Sequence, residues 1–333
     1  MIFGPVSLAQ AQGGILAHSV AVPGGRLRKG VTIGPDQIAA LEAAGIDEVT
    51  IARLEPGDLH EDAAATRLAE AVTDGVTGIS LSRAFTGRVN LLADGPGVVT
   101  LDAAAIRAAN MVHPMITIAT VPDHQQMRAG GMIATVKIIS YAVPQAAVDE
   151  ACGIARATIA VAVPVVKTAT LIVSEIAGGP GDKGSDAIRA RLEALGIDLV
   201  EIVRVPHETA ALAAALGAAS SDLVLILTAS ATSDPNDTAP AALWAAGGQV
   251  ERFGMPVDPG NLLFLGSLGG RRVIGLPGCV RSPALNGADW VLSRVSCGID
   301  VSHADIAGMG VGGLLKEIPT RPMPRRGRKG AAG

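Results

Sequence analysis

The stretch Asp222-Leu223-Val224-Leu225-Ile226-Leu227-Thr228-Ala229-Ser230-Ala231-Thr232-Ser233-Asp234-Pro235-Asn236-Asp237 changes character in its middle. Its first half, Leu223 to Leu227, is an unbroken apolar run. That is the pattern of a parallel strand covered by helices on both faces. From Thr228 onward the residues are small or hydroxylated, and two carboxylates, Asp234 and Asp237, follow at once. Small side chains let backbone N–H groups come close to a ligand, and the carboxyl end of a central strand is where open α/β sheets bind ligands. Asp-Pro and Asn-Asp are also ordinary turn formers. The local sequence therefore fits a solvated turn equally well.

Outward from this strand, predicted strands and helices alternate. Strands are expected at 168–174 and 199–203, helices at 186–195, 207–219 and 240–246, and short strands at 250–253, 262–265 and 272–274. A last helix is expected over 283–297, with Ser282 as its N-cap and Pro283 as its first residue. Alternation of this kind implies an α/β fold: a three-layer α/β/α arrangement around a mostly parallel sheet, over residues 166–320. Residues 1–165 have a mixed pattern and are read as an N-terminal α+β domain. Helices are expected there at 35–44, 61–72, 102–110 and 144–152, a short one at 122–128, and strands at 48–52, 115–120 and 132–141. Residues 321–333 read as a disordered basic tail.

Bulk properties narrow the function. The 333 residues carry a formal charge of −4, and Phe, Trp and Tyr make up 2%. Such a surface is poor at neutralising phosphates, so nucleic acid is not an expected partner. Three cysteines, Cys152, Cys279 and Cys297, form no CxxC and suit a reducing compartment. Mean hydropathy is +0.40. No uncharged apolar run reaches the roughly eighteen residues of a membrane span, so the expectation is a cytoplasmic chain without a membrane partner.

Four polar, Gly-rich loops follow predicted strands of the second domain. The first runs from Ser174 through Glu175, Lys183 and Ser185 to Asp186, with Ser185 or Asp186 expected to cap the next helix. The second is the turn from Thr228 to Asp237. The third contains Asp258-Pro259-Gly260, and the fourth Leu276-Pro277-Gly278-Cys279-Val280-Arg281-Ser282. Taken together they suggest one pocket lined by backbone amides, with Arg281 and Lys183 for anions and Asp234 and Asp237 for a metal or a proton. GxxxxGK[ST] does not occur. The six histidines show no HxH or HExxH spacing, and GxSxG is absent. Cys279 is read as a small buried residue that fills space.

These loops resemble the molybdopterin-binding domain shared by molybdenum cofactor biosynthesis proteins, including the molybdopterin molybdotransferases and the E domain of gephyrin. That family carries a Thr-Gly-Gly-x-Ser-x-Gly-x-x-Asp loop after a hydrophobic strand. Thr228 and Asp237 match its ends, Thr232 stands for its Ser, and Ala229, Ser230 and Asp234 replace its glycines. The family's Pro-Gly and Leu-Pro-Gly-Asn-Pro loops resemble Asp258-Pro259-Gly260 and Leu276-Pro277-Gly278-Cys279, with Cys279 in place of Asn. Its Ser-Thr-Gly-Asp-Glu loop corresponds to the region of Ser174-Glu175. The runs Gly131 to Ile139, Phe253 to Leu263 and Met309 to Leu315 resemble a bacterial subfamily whose members are sometimes fused to a cytidylyltransferase-like domain.

The resemblance implies a protein that binds molybdopterin or molybdenum cofactor in its biosynthesis or delivery. The ligand would lie at Thr228, Ala229, Ser230, Ala231, Thr232, Pro277, Gly278, Cys279, Arg281 and Ser282. Asp237 and Asp234 would act catalytically or coordinate Mg²⁺. Two roles stay open: a transferase that inserts molybdate or releases an activating nucleotide, and a non-catalytic carrier for molybdenum hydroxylases or a separate cytidylyltransferase. A third reading is a nucleotide pyrophosphate hydrolase related to the competence-damage-inducible family. A homo-oligomer, in the form of a dimer, is expected by family analogy.

Overall fold

The computed structural model describes residues 1–315; the tail predicted over 321–333 lies outside the described residues. The chain divides into two compact units, Met1–Val163 and Pro164–Gly333.

The second unit is a mixed α/β structure built on a mostly parallel sheet. Its elements, numbered within the unit, are β1 (Thr168–Glu175), α1 (Ser185–Glu193), β2 (Asp198–Pro206), α2 (Thr209–Ala218), β3 (Leu223–Leu227), α3 (Thr238–Ala245), β4 (Gln249–Phe253), β5 (Phe264–Leu268), β6 (Arg271–Leu276), α4 (Gly287–Ser296) and α5 (His303–Gly308). The strand order is β2-β1-β3-β6-β5-β4. The pairs β2–β1, β1–β3 and β3–β6 are parallel; β6–β5 and β5–β4 are antiparallel and close one side of the sheet.

The run Leu223–Leu227 is buried throughout because the two-residue period of a strand feeds both faces. Leu223, Leu225 and Leu227 pack with Ile188 and Leu192 of α1 and Val291 and Val295 of α4. Val224 and Ile226 pack with Leu212 and Leu216 of α2 and Ala242 and Leu243 of α3. These two cores make the three layers. The carboxyl ends of β1, β3 and β6 then lie side by side at one edge, at Ser174, Thr228 and Pro277.

The first unit begins with a three-stranded sheet of Ile2–Ser7, Glu48–Arg53 and Ile15–Leu16 beside the helix Pro35–Ala43, around Leu16, Ile33, Leu41 and Ile51. Its larger part holds an antiparallel sheet in the order Ile116–Thr120, Met132–Ile138, Arg88–Ala93, Ile79–Leu81, with the helices Glu61–Val72, Ala103–Val112 and Gln145–Ile154. Among the described residues no helix is long and apolar enough to cross a membrane.

The structure corrects three local expectations. Residues 122–128 are not helical: they form a turn that ends in the short strand Gln126–Met127. The Asp123 carboxylate accepts the amides of Leu101 and His124, and His124 sits at φ 61°, outside the helical region. Neither Ser185 nor Asp186 caps α1. The cap is Gly184 at φ 99°, where a Cβ would lie 2.6 Å from the Arg281 backbone. The helix expected from Pro283 starts instead at Gly287, behind a capping box. In it the Asp289 carboxylate accepts the Asn286 amide at 2.8 Å and the Asn286 side chain accepts the Ala288 amide at 3.0 Å.

One turn of the first unit is strained. Thr86 and Gly87 sit at φ 50° and 70° between the reciprocally bonded pair Phe85 and Arg88. Positive φ at both central residues defines a type I′ hairpin, which favours Asn-Gly. A β-branched residue in this region costs about 1–2 kcal/mol. Thr86→Asn is therefore expected to raise stability by about 0.5–1 kcal/mol in urea unfolding, and an unchanged midpoint would show that the turn holds no such strain.

Candidate functional site

The carboxyl edge of the parallel strands is drawn together by two side chains. Arg281 leaves the 3₁₀ turn Gly278–Arg281 that follows β6. Its Nη2 donates to the Thr228 carbonyl at 3.0 Å, and its Nη1 donates to the carbonyls of Lys183 and of Gly181, the latter at 3.3 Å. One guanidinium thus ties together the loops after β1, β3 and β6. Burial pushes its pKa below the usual arginine value.

Ser174, at the end of β1, is the second tie. Its Oγ is buried, accepts the Ala229 amide at 3.0 Å and lies 2.8 Å from Nδ1 of His207. His207 follows β2, so the pair links the loops after β1, β2 and β3. A buried Ser hydroxyl needs an acceptor for its proton. With the Ala229 N–H occupying one lone pair, His207 Nδ1 meets that need in the tautomer that carries the ring proton on Nε2.

The loop after β3 is internally braced. Thr228 donates its hydroxyl to the Ser230 carbonyl at 2.6 Å and lies 3.3 Å from the Thr232 hydroxyl. Asp237 is the N-cap of α3: one carboxylate oxygen accepts the Thr238 amide at 2.7 Å and the other the Ser233 amide at 3.0 Å. Burial works to raise the Asp237 pKa, but these two N–H donors, aided by nearby His207, outweigh it and hold the carboxyl below its ordinary 3.8. Asp234 accepts both the amide and the side chain of Asn236, at 2.8 and 3.0 Å, and so shapes its own turn. Between these braces the amides of Ser230, Ala231 and Thr232 have no hydrogen-bond partner among the described residues. Consecutive free amides are the raw material of an anion site.

The other expected residues fall in different places. Glu175, Lys183 and Asp186 are exposed along the first loop, with the Glu175 carboxylate 3.7 Å from Arg204. Ser185 is buried, and its hydroxyl has no partner among the described residues. Ser282 is exposed and Pro277 buried. Cys279, expected to be buried, is exposed, because the turn that carries it lies on the surface; its Sγ accepts the Asn286 side chain at 3.0 Å. Among the described residues no hydrogen bond joins the Asp258-Pro259-Gly260 loop to Thr228. The loop packs on the start of α4, where the Pro259 carbonyl accepts the Gly287 amide at 2.8 Å. Among the described residues no hydrogen bond joins Asp237 to the 276–281 bend; the connection runs through Thr228 and Arg281.

Magnesium is a poor fit to this donor set. Both Asp237 oxygens accept amides and Asp234 serves its own turn, and no group of three His, Cys, Asp or Glu among the described residues could hold a metal ion.

A family model described as a domain of unknown function (DUF8806) matches residues 5–53, which span the first small sheet. No curated protein matches the sequence. Several solved structures are similar to the chain. A molybdopterin biosynthesis protein from Mycobacterium abscessus is 16% identical, with a TM-score of 0.28, over 40% of this chain and 94% of that one. The molybdopterin biosynthesis enzyme MoaB from Thermus thermophilus is 18% identical, with a TM-score of 0.28, over 46% and 100%. The molybdopterin biosynthesis MoeA protein from Pyrococcus horikosii is 13% identical, with a TM-score of 0.26, over 83% and 70%.

Reasoning from sequence did not find His207 or Arg191. His207 follows a strand, as the Gly-rich loops do, and its place after β2 was the available signal. Arg191 gave none, since its role rests on contacts with residues 89 to 98 positions away.

Proposed function

We propose that the second unit binds molybdopterin or a molybdenum-cofactor form of it at the carboxyl edge of β1, β3 and β6. The observation that carries this reading is the run of three unpartnered amides at Ser230, Ala231 and Thr232, beside the point where Arg281 gathers three loops. Backbone N–H groups held in place before a ligand arrives suit a phosphate oxygen, since their ordering cost has already been met in folding. The sequence resemblance names the pterin phosphate as the anion. His207, with Nδ1 engaged by Ser174, has Nε2 left to donate to the ligand. Asp237 orders the loop and keeps its negative charge near that imidazole.

A binding and delivery role follows from this arrangement more directly than turnover does, because each carboxylate is engaged as a brace. Purified protein is to be incubated with molybdopterin, adenylylated molybdopterin and ADP-ribose, and binding and products measured. Saturable molybdopterin binding without product is the expected result. Molybdate-dependent release of AMP would make the protein a transferase, ADP-ribose cleavage a hydrolase, and no binding of any of the three would end the proposal.

Asp237→Ala separates the roles of that carboxylate. Loss of the cap is expected to lower stability by about 1 kcal/mol at neutral pH. The folded pKa is depressed, so this contribution is present above pH 3.8 and lost as the pH falls through the folded value. The gap between variant and parent should accordingly close in acid. If adenylylated molybdopterin is turned over at all, the variant should stay folded and lose that turnover; full activity in it would exclude Asp237 from the chemistry.

A further inference from the structure

The strand Ile79–Leu81 ends the four-stranded antiparallel sheet of the first unit, and among the described residues no strand pairs with its outer side. In an antiparallel ladder, bonded and non-bonded pairs alternate. The Asp94 amide donates to the Gly78 carbonyl at 3.0 Å, and the Ser82 amide to the Asn90 carbonyl at 2.9 Å. Ile79 and Leu81, opposite Ala93 and Leu91, are therefore the non-bonded pairs, and their N–H and C=O groups point toward the open edge. Just beyond, the Asn90 amide donates to the Ser82 hydroxyl at 2.9 Å, so the Ser82 carbonyl is left out of the ladder. The amides of Arg83 and Ala84 have no hydrogen-bond partner among the described residues. From Ile79 to Ala84 the arm is an unmet edge.

A groove of about 690 Å³ runs along this arm, and its opposite wall is the helix Glu61–Val72. Ala63, Thr66, Arg67 and Glu70 line it at the spacing of one side of a helix, and Leu81 to Ala84 line it from the strand. The lining is mixed, with an apolar middle at Ala63, Leu81 and Val89 and charge at its ends. Arg67 is taken up by Asp149, but the Arg83 guanidinium and the Glu70 carboxylate have no hydrogen bond or ion pair among the described residues. The arm leads into the hairpin at Thr86-Gly87, where the Gly87 amide donates to the Asp62 carboxylate at 2.6 Å. Arg83 therefore belongs to the Asp62 end of the groove, and Glu70, about two helical turns on, to the other.

The geometry points to an extended peptide segment of another protein as the occupant, added as a strand between the Ile79–Ala84 edge and the helix. Strand addition satisfies the outward amides and carbonyls, and alternate side chains of the added segment enter the groove. Running antiparallel to the edge, the segment puts an acidic residue at Arg83, an apolar one over Leu81 and Val89, and a basic one at Glu70. Asp62 and Glu70 are eight residues apart, about 12 Å of helix, which matches about four steps of extended chain. The acidic, apolar and basic residues are then the first, third and fifth of five. A small charged ligand would leave the ladder edge unmet, and a charge that only guards an edge needs no opposite charge in the same groove. The edge is also ordered in advance: the Gly87 amide is held by Asp62, and the Ile138 amide donates to the Gly87 carbonyl at 2.8 Å.

Fluorescein-labelled peptides Glu-Thr-X-Thr-Lys, with Val, Leu or Ile at X and an amidated end, test this by fluorescence anisotropy with the full chain. Saturable binding is expected, and the reversed order Lys-Thr-X-Thr-Glu should bind about tenfold more weakly. Arg83→Glu combined with Glu70→Arg should invert that preference, which a loss of fold would not do. Single N-methylation along the peptide should weaken binding at every second residue, because alternate N–H groups face the ladder. Failure of all three peptides to bind overturns the inference. So does equal sensitivity at every methylated position, or a preference that the charge swap leaves unmoved. Peptide binding that falls as protein concentration rises would assign the edge to a second copy of this chain, and would overturn it too.

Discussion

Arg191→Ala is expected to destabilise the second unit by about 3–5 kcal/mol, the usual cost of removing one partner from a buried ion pair. Arg191 is 11% exposed and its partner Asp289 is 15% exposed, with Nε 2.5 Å from the carboxylate. The rest of its fork is equally committed. Nη1 donates to the carbonyls of Ala187 at 3.1 Å and Val280 at 3.0 Å, and Nη2 to those of Ser282 and Ala284, both at 2.9 Å. Alanine would leave a carboxylate and four carbonyls to find other partners, several of them poorly hydrated. Urea unfolding gives the magnitude, and limited proteolysis should show new cleavage between residues 278 and 286. A loss below about 1 kcal/mol would mean that water replaces the guanidinium and that the loop is held by its capping box alone.

Arg281→Ala is the second large effect, and it is directed at the site. Each of its donations to Thr228, Gly181 and Lys183 is a hydrogen bond from a charged group, worth about 1.5–3 kcal/mol. Their loss should free the loop between β1 and α1, seen as faster amide exchange over residues 176–184. Under the proposed function, molybdopterin affinity should fall by about a hundredfold, as about one such bond's worth of preorganisation is lost. Arg281→Lys should recover only part of this, because an ammonium cannot span three carbonyls in one plane. Unchanged affinity in the alanine variant, with amide exchange raised, would show that the gathered loops are not the binding site. The two substitutions act on neighbouring turns, so their effects should not simply add.

The order of strands and helices in the second unit was legible because buried parallel strands are continuous apolar runs and the helices between them are bounded by Gly and Pro. The positions of the candidate loops were legible for the same reason, since each follows a strand. Residues 122–128 were misread because Pro122 looks like a first helical residue, whereas Asp123 and the left-handed His124 direct the chain into a turn. Ser282-Pro283 misled in the same way: Val280, Ser282 and Ala284 give their carbonyls to Arg191, so the chain between them cannot wind until Asn286.

What the sequence alone determined is the layered sheet and the edge at which its loops emerge. Five consecutive apolar residues from Leu223 can be shielded from water only between two layers, and periodicity records that requirement locally. Which polar groups meet at that edge was decided by tertiary structure. Ser174 and His207 are 33 residues apart, and Arg281 and Lys183 are 98 apart. Hydrogen bonds across such separations depend on strand register and loop path, which no local pattern of residues encodes.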